Sequence, residues 1–178
     1  PTKYKPIKNW KIGFSMDLGL FEVDKEVQKN TRAALDVFRS LGAKVEEVDL
    51  RWPANALQQG MAYLNHLFGA SLAKVLAEHG DDLCTYTRKF AEEGQSSKAT
   101  DFVSTLETAA EMYNTLGPLL EKYDVLICPT NNLAAVPADR DQSKDEVRIN
   151  GKLVNPSLGW VMTTPFNMMS RCPVISVP

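Results

Sequence analysis

The sequence predicts an α/β protein with a mainly parallel central sheet and flanking helices. Three stretches carry that expectation. Residues 10–50 read strand, helix, strand with short joins, and such a unit crosses over right-handed to give parallel strands. Asp124-Val-Leu-Ile-Cys128 is a short apolar run stopped by Pro129, as a buried strand would be. Val174-Ile-Ser-Val177, bounded by Pro173 and Pro178, reads the same way. Strands are expected near 11–15, 44–49, 124–128 and 174–177, with the first flanked by the second and by 124–128. With 178 residues the chain has length for one domain with a real core, so 1–178 is read as a single α/β unit.

Residues 1–9 read as extended, and Trp10 to Ser15 supplies the first strand, with apolar residues at alternate positions. Asp17-Leu18-Gly19 is a loop. Asp24 is a good N-cap, because its carboxylate can accept an orphan N–H, and Glu26 suits the positive end of the helix dipole. Val27, Ala34, Leu35, Phe38 and Leu41 recur at helical spacing, and Gly42 supplies the stop. Ala43 to Leu50, with Val45 and Val48, gives the second strand.

From Pro53 the pattern is helical. Leu57, Met61, Leu64, Phe68, Leu72 and Val75 step by three or four and predict one apolar face. Gly80 and Asp81-Asp82 end it. Leu83, Tyr86 and Phe90 predict a short helix that closes near Gly94. Gln95 to Lys98 is a polar joint expected to cap the next helix. That helix carries Phe102, Leu106, Ala109, Tyr113, Leu116, Leu120 and Tyr123 on one side. Pro118 lacks an N–H and clashes one turn back, so a kink or restart is expected there. Residues 129–165 read as a long loop with one hairpin at 147–154, where Asn150-Gly151 suits the positive φ of a tight turn. Loops of that length are usually functional or mobile.

The net charge of −2 gives no electrostatic footprint for nucleic acid, and Lys3, Lys5, Lys8 and Lys11 read as solvated surface. No apolar run is long enough to span a membrane, and no signal-peptide pattern opens the chain. Cys84, Cys128 and Cys172 are odd in number and form neither metal-ligand spacing nor a disulfide framework. A reducing, cytoplasmic setting is expected, without metal or cofactor. The first residue is Pro rather than Met and the last lies in a strand-like run, so a piece of a longer protein is expected.

Several residues invite catalytic readings. Ser96-Ser97-Lys98 holds two hydroxyls and an amine, but consecutive residues do not converge on one substrate carbon, and a helix cap belongs here. His66 and His79 have no ligand or triad pattern around them. Cys128 reads as core. Cys172 follows Arg171, whose charge could lower the thiol pKa, although a packing role is the better reading.

Taken together, these phrases resemble the amidase-signature hydrolases. Lys11 to Phe14, Asp17 to Gly19, Val23 to Val27 and Leu41 to Leu50 match the family's opening order. Tyr123 to Thr130 matches its Tyr-Asp-x-Leu-x-x-Pro-Thr strand, and Pro165-Phe-Asn167 followed by Pro173-Val-Ile-Ser-Val-Pro178 matches its late core. The resemblance implies a parent that hydrolyses C–N bonds of amides through an acyl-enzyme on a Ser-cisSer-Lys triad. The Gly-Gly-Ser-Ser loop and its upstream Lys do not occur in these residues, so no catalytic residue is assigned. The chain is read as the portion after the catalytic loop, supplying sheet strands and one wall of the substrate cleft. Trp160, Thr163, Phe166 and Asn167 are the candidate cleft residues, with Thr130 near the rim. The implied partner is a small-molecule amide, and an exposed sheet edge would favour self-association. The competing reading makes Trp160 and Phe166 core and Asn167 a partner for buried backbone. The competing class is a stand-alone α/β module binding a small ligand at the carboxyl ends of its strands.

Overall fold

The computed structural model describes residues 6–177. Lys3 and Lys5 of the basic cluster lie outside these residues. The central sheet has three strands, β1 (Lys11–Phe14), β2 (Lys44–Glu47) and β3 (Val125–Ile127), in the order β2-β1-β3. Both pairings are parallel, with Ile12 opposite Val45 on one side and Val125 on the other. The predicted order therefore holds. The expected alternation in β1 does not, since Ile12, Gly13 and Phe14 are all buried. A central parallel strand is covered on both faces, so its residues have no solvent side.

Helix α1 (Lys25–Ser40) begins where the Asp24 carboxylate accepts the Glu26 N–H at 2.8 Å, and its exit passes through Gly42 at φ +90°. Its inward side differs from the expected one. Leu35 is buried and Val27, Thr31 and Phe38 are half-buried, whereas Ala34 and Leu41 are exposed. Those four lie on one line at steps of four, four and three, and that line is the one facing the sheet.

The helical layer comprises α2 (Ala56–Leu64), a π-helical turn (Asn65–Gly69), α3 (Ala73–His79), a short 3-10 turn (Gly80–Asp82), α4 (Thr85–Gln95) and α5 (Ala99–Lys122). The single apolar face predicted from Leu57 to Val75 is corrected here, because Phe68 and Val75 are exposed. The π turn inserts one extra residue, which rotates everything after it by about 100°. Gly69 is buried in consequence, and it meets α4 at Gly94. The joint at 95–98 divides its work. Ser96 Oγ donates to the Glu93 carbonyl at the end of α4, and the Lys98 N–H donates to Asp101 at the start of α5. Helix α5 runs unbroken through Pro118 instead of restarting. Asn114 and Pro118 both lie on its exposed side, so water can serve the carbonyl that Pro118 leaves without a donor.

After β3 come the hairpin β4 (Val147–Ile149) and β5 (Lys152–Val154), with Asn150 and Gly151 both at positive φ, and then helix α6 (Thr164–Met169). The expected strand at 174–177 is absent among the described residues. Val174, Ile175 and Val177 are 63%, 85% and 67% exposed, so this run is neither paired nor buried. An apolar, β-prone sequence becomes a strand only where a neighbouring strand supplies a ladder. The core is shared by the sheet, α1, α2, α5 and α6, with Phe14, Leu35, Trp52, Met112, Leu116 and Met162 among its buried side chains.

Candidate functional site

In a parallel α/β sheet, ligands are held at the carboxyl ends of the strands. Here β1 runs out at Ser15, whose N–H donates to the Ile127 carbonyl, and β3 runs out through Cys128 and Pro129 to Thr130. Thr130, Asn131 and Asn132 then lie alongside residues 160–162. Asn131 bridges Val161 antiparallel, the Met162 N–H donates to the Thr130 carbonyl at 3.1 Å, and the Asn132 N–H donates to the Trp160 carbonyl at 3.3 Å. The segment after β3 and the segment before α6, about thirty residues apart in sequence, are thus paired, with Thr130 bonded to Met162 and Asn132 to Trp160. The Thr130 and Ser176 hydroxyls lie 3.1 Å apart, which draws the exposed Val174–Val177 run to the same place.

The five candidate residues do not share one environment. Thr130 is exposed, and Trp160 is half-buried with its indole N–H donating to the Pro156 carbonyl at 3.2 Å. Thr163 is half-buried at the start of α6 without a side-chain cap. Asn167 is exposed one turn later, its N–H donating to the Thr163 carbonyl. Phe166 faces inward, with its ring edge-on to Trp52 at 5.4 Å between centroids and in contact with the buried core. Two open depressions, of about 430 and 340 Å³, are lined by other residues: the first by α5 residues 113–121, the second by Ser15, Asp17, Gly19, Glu47, Val48 and Asp49.

Sequence reasoning passed over Asn132, which ties this region together. It is fully buried, and its Nδ2 donates to the Glu22 carbonyl at 2.7 Å and the Gly159 carbonyl at 3.0 Å. Its own carbonyl accepts the Asp24 N–H at 2.8 Å, so the start of α1 is fixed to the strand exit. Its Oδ1 has no partner. The available signal was the Asn131-Asn132 pair directly after a buried strand, where a polar residue must either be solvated or find partners. Glu22 also holds the hairpin turn, accepting from Asn150 Nδ2 at 2.7 Å and from Lys152 Nζ.

The ionisable groups nearest the strand exits are thiols held protonated by burial. Burial pushes the Cys128 thiol up to about 11, so it stays protonated at neutral pH. Burial also raises the Cys172 thiol, against the lowering expected from Arg171. Ser97 Oγ does lie 3.0 Å from His66 Nδ1, with the imidazole stacked on Phe102, but this contact joins the π turn to the start of α5. Among the described residues no cluster of His, Cys, Asp and Glu could hold a metal, and no helix is long and apolar enough to cross a membrane.

The structure thus carries hydroxyl, amide and aromatic groups at the strand exits of a parallel α/β layer. The Amidase family pattern matches residues 1–178, and the chain belongs to that family. It is 26% identical over 174 residues to an acylamidase of Rhodococcus erythropolis and 23% identical over 172 residues to an amidase of Pseudomonas putida. Each match covers 97% of this chain and 36% of the relative. The fold superposes on a bacterial aryl acylamidase of the amidase-signature family, with TM-score 0.76 and 24% identity over 92% of this chain and 36% of that one. A second amidase structure gives TM-score 0.77 and 20% identity over 94% of this chain and 38% of that one.

Proposed function

We propose that this chain is the portion of an amide hydrolase that extends the sheet and forms one wall of an acyl- or aryl-binding cleft. It works with a Ser-cisSer-Lys catalytic segment that lies outside these residues. The observation that carries the reading is the family match along all 178 residues, while the chain spans only 36% of its relatives' length. The main-chain pairing of residues 130–132 with 160–162 at the strand exit, with Thr163 and Asn167 on the helix that follows, supports the cleft role. The exposed extended run at Val174–Val177 and the open side of β3 support self-association. Three free cysteines suit a reducing cytoplasm.

The purified chain, incubated with aryl and alkyl amides and scored for amine release, is expected to give no turnover. Turnover abolished by Ser97→Ala would place catalysis at the Ser97–His66 contact and overturn the reading. In a complete enzyme carrying this segment, Trp160→Ala is expected to change kcat/KM ratios between bulky and small amides at little cost in stability. Phe166→Ala, which empties the space beside Trp52, is expected to cost about 3 kcal/mol or more of stability. Unchanged substrate ratios in the Trp160 variant would remove that residue from the cleft.

A further inference from the structure

The turn that carries Trp160 is held from three sides by this chain itself. Asn155 Oδ1 accepts the Ser157 and Leu158 N–H groups at 2.9 and 3.0 Å, and the Gly159 N–H closes back on the Asn155 carbonyl at 3.0 Å. A Cβ at Gly159 would lie 2.5 Å from the Asn155 nitrogen, so the turn closes only with glycine there. Buried Asn132 holds the far end, through the Gly159 and Trp160 carbonyls. The third side is Arg140. Its Nη2 donates to the Pro156 carbonyl at 2.6 Å, and the same oxygen accepts the Trp160 indole N–H at 3.2 Å. A carbonyl oxygen has two lone pairs, so with Arg140 on one the indole takes the other.

Stability alone does not account for an arginine at this place. Nε and Nη1 are closed off from solvent and have no hydrogen-bond partner, and among the described residues no carboxylate pairs with the guanidinium. An enclosed cation without a counter-charge is destabilising, and an apolar side chain of similar volume is often as good or better. Because this chain already encloses those two nitrogens, a further segment of a longer polypeptide does not reach them. The loop that delivers Arg140 is anchored as well. Asp141 accepts from Ser143 Oγ at 2.6 Å and from Thr85 Oγ1, at the start of α4, at 2.9 Å, and the Asp141 N–H donates to Asp145 Oδ2 at 2.7 Å.

We propose that Arg140 is a positioning residue for Trp160: held on the Pro156 carbonyl, it keeps the indole N–H directed into its own turn, so that Trp160 offers only apolar ring surface and favours an aryl group on the amide substrate. The brace stands on the geometry alone, and the aryl preference rests on the cleft reading above.

The brace is read in this chain by the Trp160 indole N–H resonance in proton–nitrogen correlation spectra, assigned by its loss in Trp160→Phe. Arg140→Met, of similar length without donors, is expected to shift and broaden that resonance while the melting temperature stays at or above that of the parent. Arg140→Lys, which keeps a donor for Pro156, is expected to leave the resonance near its parent position. A Trp160 resonance unmoved in Arg140→Met overturns the proposal. A melting temperature lowered in both variants assigns Arg140 to general stability and overturns it equally. In a complete enzyme carrying this segment, Arg140→Met is expected to lower kcat/KM for amides bearing an aryl group, relative to alkyl amides, about fivefold, and to add nothing in a Trp160→Ala background. A fully additive effect there would show that Arg140 meets the substrate itself and overturn the positioning role. Aryl-to-alkyl ratios unchanged in Trp160→Ala would remove the cleft reading and the aryl preference with it, while the resonance still decides the brace.

Discussion

Asn132 concentrates more structural consequence than any other polar side chain in the region of the strand exits. Its fully buried amide serves two main-chain carbonyls from separate loops, those of buried Gly159 and half-buried Glu22. Asn132→Ala leaves the Glu22 and Gly159 carbonyls without that donor, and the expected loss is about 2–4 kcal/mol, read by denaturant unfolding. A variant as stable as the parent would show that the loops hold without the clamp. Glu22 predicts a pH effect. Its carboxyl pKa is lowered, first by the hydrogen bond from Asn150 and then by Lys152. A carboxylate whose pKa falls on folding contributes stability that is present above its unfolded value and is lost as pH drops through the folded one. Hairpin amides at 147–154 are therefore expected to lose hydrogen-exchange protection on acidification through and below the usual carboxylate range. In Glu22→Gln that pH dependence should disappear, and its persistence would point to another group.

At the scale of elements, the helical layer depends on two backbones touching. A Cβ at Gly94 would lie 2.1 Å from the Gly69 carbonyl carbon and 2.4 Å from the Ala70 nitrogen. Both are main-chain atoms, so α4 and the π turn would have to separate. At Gly60 the nearest atom is the Thr164 methyl at 2.8 Å, a side-chain atom, and the nearest main-chain atom lies at 3.9 Å. Gly94→Ala is expected to cost about 3 kcal/mol, at the upper end for overpacking, and Gly60→Ala clearly less. Thermal melts of the two variants check the ranking, and the reverse order would mean that α4 shifts freely on its neighbour. The π turn fits the same contact, because its extra residue turns Gly69, rather than Phe68, towards α4.

For the whole molecule, the sheet leaves β3 paired on one side only among the described residues, and an apolar extended run lies exposed beside its exit. Unpaired ladder groups next to exposed Val174 and Ile175 favour edge-to-edge association. Light scattering is expected to show species that grow with concentration, and Val174→Lys with Ile175→Lys should reduce them without loss of helix content. A monodisperse monomer at high concentration would remove the sheet edge as an association site.

The sequence by itself determined what is local. The strand-helix-strand opening, the Asp24 cap, the Gly42 exit and the strand before Pro129 depend on residues within a few positions of one another, and these parts of the fold were legible, although that last strand is half-buried where full burial was expected. The family resemblance was legible too, because it lives in the order of such phrases. Tertiary structure decided the rest. Whether Val174–Val177 becomes a strand depends on a neighbour, and no periodicity can supply one. Which side of the helix after Pro53 is buried depends on a π turn that fits the Gly69–Gly94 contact, made across twenty-five residues. Of the candidate cleft residues, Trp160 and Thr130 came to lie on paired segments and Phe166 turned to Trp52 by packing between stretches far apart in the chain. Asn132 acquired its role only when three loops closed around it. An amide's burial and its partners are properties of the folded neighbourhood, and sequence spacing carries no record of them.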